Sequence, residues 1–195
     1  MPPKVRVTRN MIIDAAVEAV RTGGEENITA RSVAGILHCS TQPVMYQFPT
    51  IEELVRTVYA EVNTRHTQYL LNERPGFDLL LSIGLNYIEF AKNEPNLFRF
   101  LFQSGRYEKR DMHELISDED LKPVLSAVET GAAIGASEAE DIFLILAVAV
   151  HGFASLVAGG MLEYSEKNTA HLLERIFNGA MNTAVLEDND ESDNR

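Results

Sequence analysis

An all-α fold follows from three observations on the sequence. Apolar residues recur at helical spacing along most of the chain, no strand alternation of useful length appears, and proline and glycine fall where helices start or stop. The chain has 195 residues, 45% of them hydrophobic, enough to bury a core in one large or two small domains. The predicted organisation is a three-helix helix-turn-helix domain over residues 1–50, joined by a long helix to a helical domain over 51–186, with an acidic disordered tail at 187–195.

Met11, Ile12, Ala15, Ala16, Ala19 and Val20 form the stripe of a first helix that stops at Gly23-Gly24. Thr29 is a good N-cap for a second, short helix reaching about Leu37, with Ile28 and Val33 as its hydrophobic staple. His38 and Cys39 make a tight connection, where histidine is among the few non-glycine residues that tolerate the left-handed conformation. Ser40 caps a third helix, which places Pro43 in its first turn, where a missing amide proton has no helical partner to lose. Phe48-Pro49 ends that helix. Thr50 and Glu53 form a capping box for a long fourth helix carrying Leu54, Val55, Val58 and Val62 to about Asn72.

Two short helices across a tight turn, held by an earlier helix, make a helix-turn-helix whose second helix suits a major groove. Thr41 and Gln42 project from the start of the third helix, and a carboxamide matches the N6/N7 face of adenine. Pro43 offers a flat apolar surface to a thymine methyl or a sugar, and the Tyr46 hydroxyl suits a phosphate. Thr29 and Arg31 at the start of the second helix suit phosphates as well. Lys4 and Arg6 lie in a basic arm able to follow the backbone or enter the minor groove.

The stretch "ITARSVAGILHCSTQPVMYQFPTIEELVRTVY" resembles the signature of the TetR family of bacterial transcriptional repressors, over roughly residues 8–60. In that family a Tyr-x-His-Phe-x-x-Lys-x-x-Leu motif closes the third helix and opens the fourth. Aligned on Phe48 and Leu54, this chain has Met45 for the first tyrosine, Gln47 for the histidine and Ile51 for the lysine, while His38 replaces a common glycine. The expected DNA face as a whole comprises Thr29, Arg31, Ser40, Thr41, Gln42, Pro43, Tyr46 and Gln47, and the resemblance implies a phosphate contact for Tyr46 and no counterpart of the lysine contact. It also implies a homodimer on a near-palindromic operator and a small-molecule effector. The three departures keep a second reading open, a helical protein-interaction module without DNA binding.

Beyond the fourth helix, seven of the fifteen aromatics fall between residues 77 and 107. Phe98 and Phe102 share one face of a helix opened by Pro95, and Phe100 points away, so that helix is apolar on two sides. These aromatics are either plain core or part of an apolar effector pocket lined by Tyr87, Phe90, Phe102, Met112 and His151. The apolar run from Ile142 to Leu162 has the length of a membrane span, but His151, Ser155 and acidic flanks favour a buried helix. Its small faces at Gly152, Ser155 and Gly159 admit another helix. Near the C-terminus Leu172, Ile176, Ala180 and Ala184 repeat every fourth residue beside Leu173, Phe177, Met181 and Val185. The two segments together suggest a four-helix interface across a two-fold axis.

The net charge of −12 is unevenly spread: residues 1–50 carry +1 and the rest −13. The single Cys39 allows no internal disulfide, and the start "MPPKVRVTRN" has no secretory apolar run, so a cytoplasmic location is expected. No histidine pair at i, i+4 and no glycine-rich phosphate loop after a strand is present. The expectation is a non-enzyme without cofactor or metal.

Overall fold

The computed structural model describes the backbone of residues 7–105, 122–132 and 135–193. Every regular element among them is helical: α1 (Arg9–Gly23), α2 (Ala30–Ile36), α3 (Thr41–Gln47), α4 (Ile51–Leu70), α5 (Leu79–Asn93), α6 (Pro95–Phe102), α7 (Lys122–Ala132), α8 (Ala136–Ala158) and α9 (Glu166–Asp193), with a 3-10 turn at Glu25–Asn27. They form two compact units. The first comprises Met1–His66 and Glu94–Tyr107, the second Thr67–Asn93 and Glu108–Arg195. The boundary expected at residue 50 therefore falls late in α4, and α6 belongs to the first unit.

Local signals account for most helix ends. The Thr8 hydroxyl accepts the Met11 amide at 3.3 Å and caps α1, which stops at Gly24 with a φ of 83° that suits glycine. Thr29 caps α2 by accepting the Ser32 amide at 3.0 Å. The Thr50 hydroxyl accepts the Glu53 amide at 3.2 Å, but the Glu53 carboxylate turns to Arg9 instead of closing the reciprocal half of the box.

In the first unit Ile12, Val20, Val33, Val44, Leu54 and Val58 are wholly buried, with Phe48 almost so. α6 closes this core on two sides. Phe98 tilts against Phe102 at 5.1 Å, Phe102 meets His66 edge-on at 5.2 Å, and Phe100 meets Tyr59 edge-on at 5.7 Å. Arg21 ties α1 to α6 through its Nε to Glu94 at 2.9 Å and its carbonyl to the Asn96 amide at 3.0 Å.

In the second unit α5 packs on α8, α9 packs on both, and α7 leans against α5 and α8. Gly84 permits the close crossing, since a methyl there would lie 3.0 Å from Leu173 Cδ1. Leu70, Ile83, Val128, Ile142, Leu146 and Ala180 share this core. A polar knot organises its edge. Arg74, 12% exposed, donates to Asn86 Oδ1 at 2.6 Å, to Glu166 at 2.6 Å and to Glu89. Asn86 in turn donates to the carbonyls of Leu70 and Asn72, which α4 leaves open where it ends. The Tyr69 hydroxyl donates to Glu89 at 2.9 Å, and burial together with that carboxylate pushes its pKa up to about 12. Carboxylates around the guanidinium outweigh its burial and hold Arg74 above its ordinary value.

The backbone of α9 continues to Asp193, through the acidic segment expected to be a disordered tail. Propagation explains the difference, because each residue added to an existing helix gains a hydrogen bond for the two dihedrals it fixes.

His66 is 4% exposed, and burial pushes its imidazole down to about 4. The unfolded chain protonates it below about 6.5 and the folded chain does not, so stability is full above 6.5 and declines as pH falls toward 4. Urea unfolding at pH 5 is expected to show a loss of about 1–2 kcal/mol relative to pH 7 from this group. In His66→Gln that share of the acid sensitivity disappears.

Candidate functional site

The exposed feature of the first unit is the outer face of α3. Its entry is set by His38, at φ 50° the only non-glycine residue with a positive φ among those described, and by Ser40 at the N-cap position. Pro43 sits in the first turn as its chemistry requires. Val44 turns inward, and Phe48 fills the core just beyond the helix. The far end is held by Arg9, whose guanidinium donates to the Gln47 carbonyl at 2.8 Å and to Glu53 at 3.3 Å, and lies 3.9 Å from the centre of the Phe48 ring. One side chain of α1 thus fixes the end of α3, the connection and the first turn of α4.

This arrangement presents Thr41, Gln42, Met45 and Tyr46 to solvent, Met45 at 41% and Tyr46 at 82% exposure, with Pro43 half-buried beside them. Ser40 is exposed, and its hydroxyl makes no capping bond, so its side chain does not serve the helix as expected. Gln47 is half-buried with its carbonyl committed to Arg9. At the start of α2, Arg31 is exposed, while the Thr29 hydroxyl is occupied by the Ser32 amide and shares a 2.8 Å bond with the Ser32 hydroxyl. Lys4 and Arg6 lie outside the described residues. Sequence reasoning missed Arg9 as a clamp, since nothing local marks a residue whose partners lie 38 and 44 positions away.

The residues proposed for an effector pocket divide. Tyr87 on α5 and His151 on α8 come together, the hydroxyl 2.8 Å from Nδ1 in a hydrogen bond whose direction follows the imidazole tautomer, and burial lowers the His151 pKa, which favours the neutral ring. Phe90 tilts against Tyr69 at 6.1 Å and is 9% exposed. Phe102 belongs to the first unit, where it packs on His66 and Phe98, which corrects its assignment to the pocket. Met112 lies outside the described residues. No group of three or more His, Cys, Asp or Glu side chains among those described is placed to hold a metal ion.

The residues proposed for a dimer face divide as well. Gly152, Gly159 and Leu172 are exposed and Ser155 is half-buried. Leu173 at 1% and Ala180 at 7% point into their own core, and Ile176 and Phe177 pack against it, so the broad C-terminal stripe serves mainly the fold of its own unit. The Met181 side chain is outside the description. What α8 leaves open is a row that joins the expected Gly152 to three apolar residues the sequence did not single out, Ile145 at 52%, Val148 at 67% and Leu156 at 43%, spaced along one side of the helix. By length and composition Glu138–Ala158 is able to cross a membrane, yet its opposite side, with Ile142, Leu146, Val150 and Ala154, is buried in the unit.

With this geometry in place, similarity to known proteins is informative. The family model for the tetracyclin repressor-like C-terminal domain matches residues 80–179. A TetR-like transcriptional regulator from Rhodococcus sp. RHA1 superposes with a TM-score of 0.60 at 20% identity, covering 91% of this chain and 96% of that one. A putative transcriptional regulator of the TetR family from Vibrio parahaemolyticus gives 0.57 at 16% identity, with 90% and 97% covered. The multidrug binding protein EbrR, solved with ethidium, gives 0.53 at 19% identity, with 90% and 99% covered. A search of curated proteins finds no match.

Replacing Arg9 by Lys keeps the charge and removes the planar fork. Because the Arg9–Glu53 pair is 43% exposed on both sides, global stability is expected to fall by about 1 kcal/mol or less. Amide exchange at Phe48, which donates to the Val44 carbonyl, is expected to accelerate about fivefold by hydrogen-exchange NMR, more than at sites on α1.

Proposed function

The chain belongs to the family of tetracycline repressor-like transcriptional regulators, and from that premise we propose that it is a homodimeric repressor that binds a near-palindromic operator and is released by a small apolar effector. The observation that carries the DNA-binding part is the outer face of α3, a short helix with Thr41, Gln42, Met45 and Tyr46 exposed while its far end is held by Arg9. A helix so presented enters a major groove, with Gln42 placed for adenine and the Tyr46 hydroxyl for a phosphate. Arg31 adds a cation at the start of α2. The first unit holds nine basic against eight acidic residues, whereas the second holds eight against twenty-one, so DNA is repelled from the second and left to the first.

The dimer is supported by the open row on α8. Ile145, Val148 and Leu156 with Gly152 between them form an apolar strip with a gap for close approach, the kind of surface a second copy covers across a two-fold axis. Half-sites then fall about 34–36 Å apart along the duplex. The effector reading centres on Tyr87 and His151, a hydrogen-bonded polar pair between α5 and α8, and EbrR, solved in complex with ethidium, is a structural relative. An effector there acts by favouring one arrangement of α5 over another. The change reaches the DNA side through α4, whose last carbonyls are held by Asn86 of α5 and whose first turn is held by Arg9.

Selection of the purified chain against a randomised duplex pool tests this. A palindromic site is expected, with affinity falling as salt rises. Gln42→Ala should lose about 1–3 kcal/mol of discrimination at one base pair per half-site, while Tyr46→Phe weakens all sequences alike. Val148→Asp should shift the protein from dimer to monomer in sedimentation and abolish the preference for paired half-sites. If the pool shows no enrichment at low salt, the repressor reading is lost and the chain is a helical protein-interaction module.

A further inference from the structure

The outer face of α3 carries no charge at all: the helix reads Thr41, Gln42, Pro43, Val44, Met45, Tyr46, Gln47. Met45 follows Gln42 by three residues, so the two share one side of the helix, and both are exposed. Pro43 stands half-buried at the edge of the same surface. An exposed methionine is a poor choice for a purely water-facing position and an adaptable one for meeting an apolar group of irregular outline.

Base edges in a major groove offer one methyl group, the C5-methyl of thymine; besides the small C–H edges of cytosine C5 and purine C8, the other groups there are hydrogen-bond donors or acceptors. A thioether chain set against any of those others strips water from a polar atom and returns no bond. Gln42 adds the complementary preference, because its carboxamide matches the N6/N7 pair of adenine. Resting on the DNA-binding reading above, we infer that Met45 is a specificity-determining residue that packs on a thymine methyl next to the adenine read by Gln42. Each half-site then carries an A·T step at its centre of contact. Specificity there is held by a methyl group more than by charge. The clamp from Arg9 matters to this contact, because a methyl contact has no directional bond to restore it once the helix end shifts.

The test uses the operator selected with the full chain. Each thymine in a half-site is replaced singly by deoxyuridine, which removes the C5-methyl and changes no hydrogen-bonding group. At one thymine per half-site the substitution should weaken binding about three- to tenfold, the range expected for one buried methyl. Met45→Ala should bind the thymine and uracil operators equally, and Met45→Leu should keep the difference. Circular dichroism and the unfolding midpoint confirm that each variant is folded, as expected for a side chain with 41% exposure. An enriched operator with no uracil-sensitive position, or a uracil effect undiminished in Met45→Ala, overturns the inference while leaving DNA binding intact. A pool with no enriched duplex overturns both.

Discussion

A helix of seven residues does not hold its own shape in water, and α2 and α3 are both that long. Everything that presents the outer face of α3 depends on packing that comes from elsewhere. Val33 and Ala34 anchor α2, and in α3 Val44 alone is fully buried, with Phe48 just past its end. A single inward residue leaves the rest of the helix free to face outward, at the cost of weak local stability. Arg9 offsets that weakness by holding the carbonyl of Gln47, the face of Phe48 and the carboxylate of Glu53 together. Exposed ion pairs contribute little to global stability, so the role of this one is placement.

The second unit solves a different problem. It is strongly acidic, yet its helix α8 is almost wholly apolar from Ile142 to Ala158, and of that run it buries only the side that faces α5, α7 and α9. Its precision lies at the Arg74 knot, where a nearly buried guanidinium satisfies side chains from α5 and α9 while Asn86 satisfies the open carbonyls where α4 ends. Removing one partner from such a cluster leaves a buried charge uncompensated, which is why clusters of this kind move as a body or not at all. Tyr87 lies on α5, the helix that also carries Asn86 and Glu89 of the knot, and His151 lies on α8, which packs against it.

Much of the first unit was legible from the chain. Caps at Thr29 and Thr50, the left-handed His38 and the first-turn Pro43 are local devices whose chemistry is complete within a few residues, and each sits where its chemistry demands. What was not legible depends on distant partners. Glu53 was claimed for a capping box and went to Arg9, and Phe102 was grouped with Tyr87 although it packs beside His66. In α8 and α9 the difficulty was an excess of apolar residues. Where every face is apolar, periodicity cannot tell inside from outside, so it assigns the buried Leu173 and Ala180 to an interface and does not separate the exposed Ile145 and Val148 from the core.

The placement of α6 bears on how the molecule is made. The first unit is not contiguous in sequence: its core is finished by Phe98 and Phe100, which are joined to the rest only through the whole of α5, an element of the other unit. During synthesis from the N-terminus, the first sixty-six residues emerge with one wall of their core missing. They wait until residue 102 has cleared the ribosome, and by then α5 is exposed ahead of α8 and α9, its own partners. The two units are thereby interleaved in folding order. A transplant of the reading helices into another protein has to carry α6 with them, on a separate piece of chain, or supply something of the same shape.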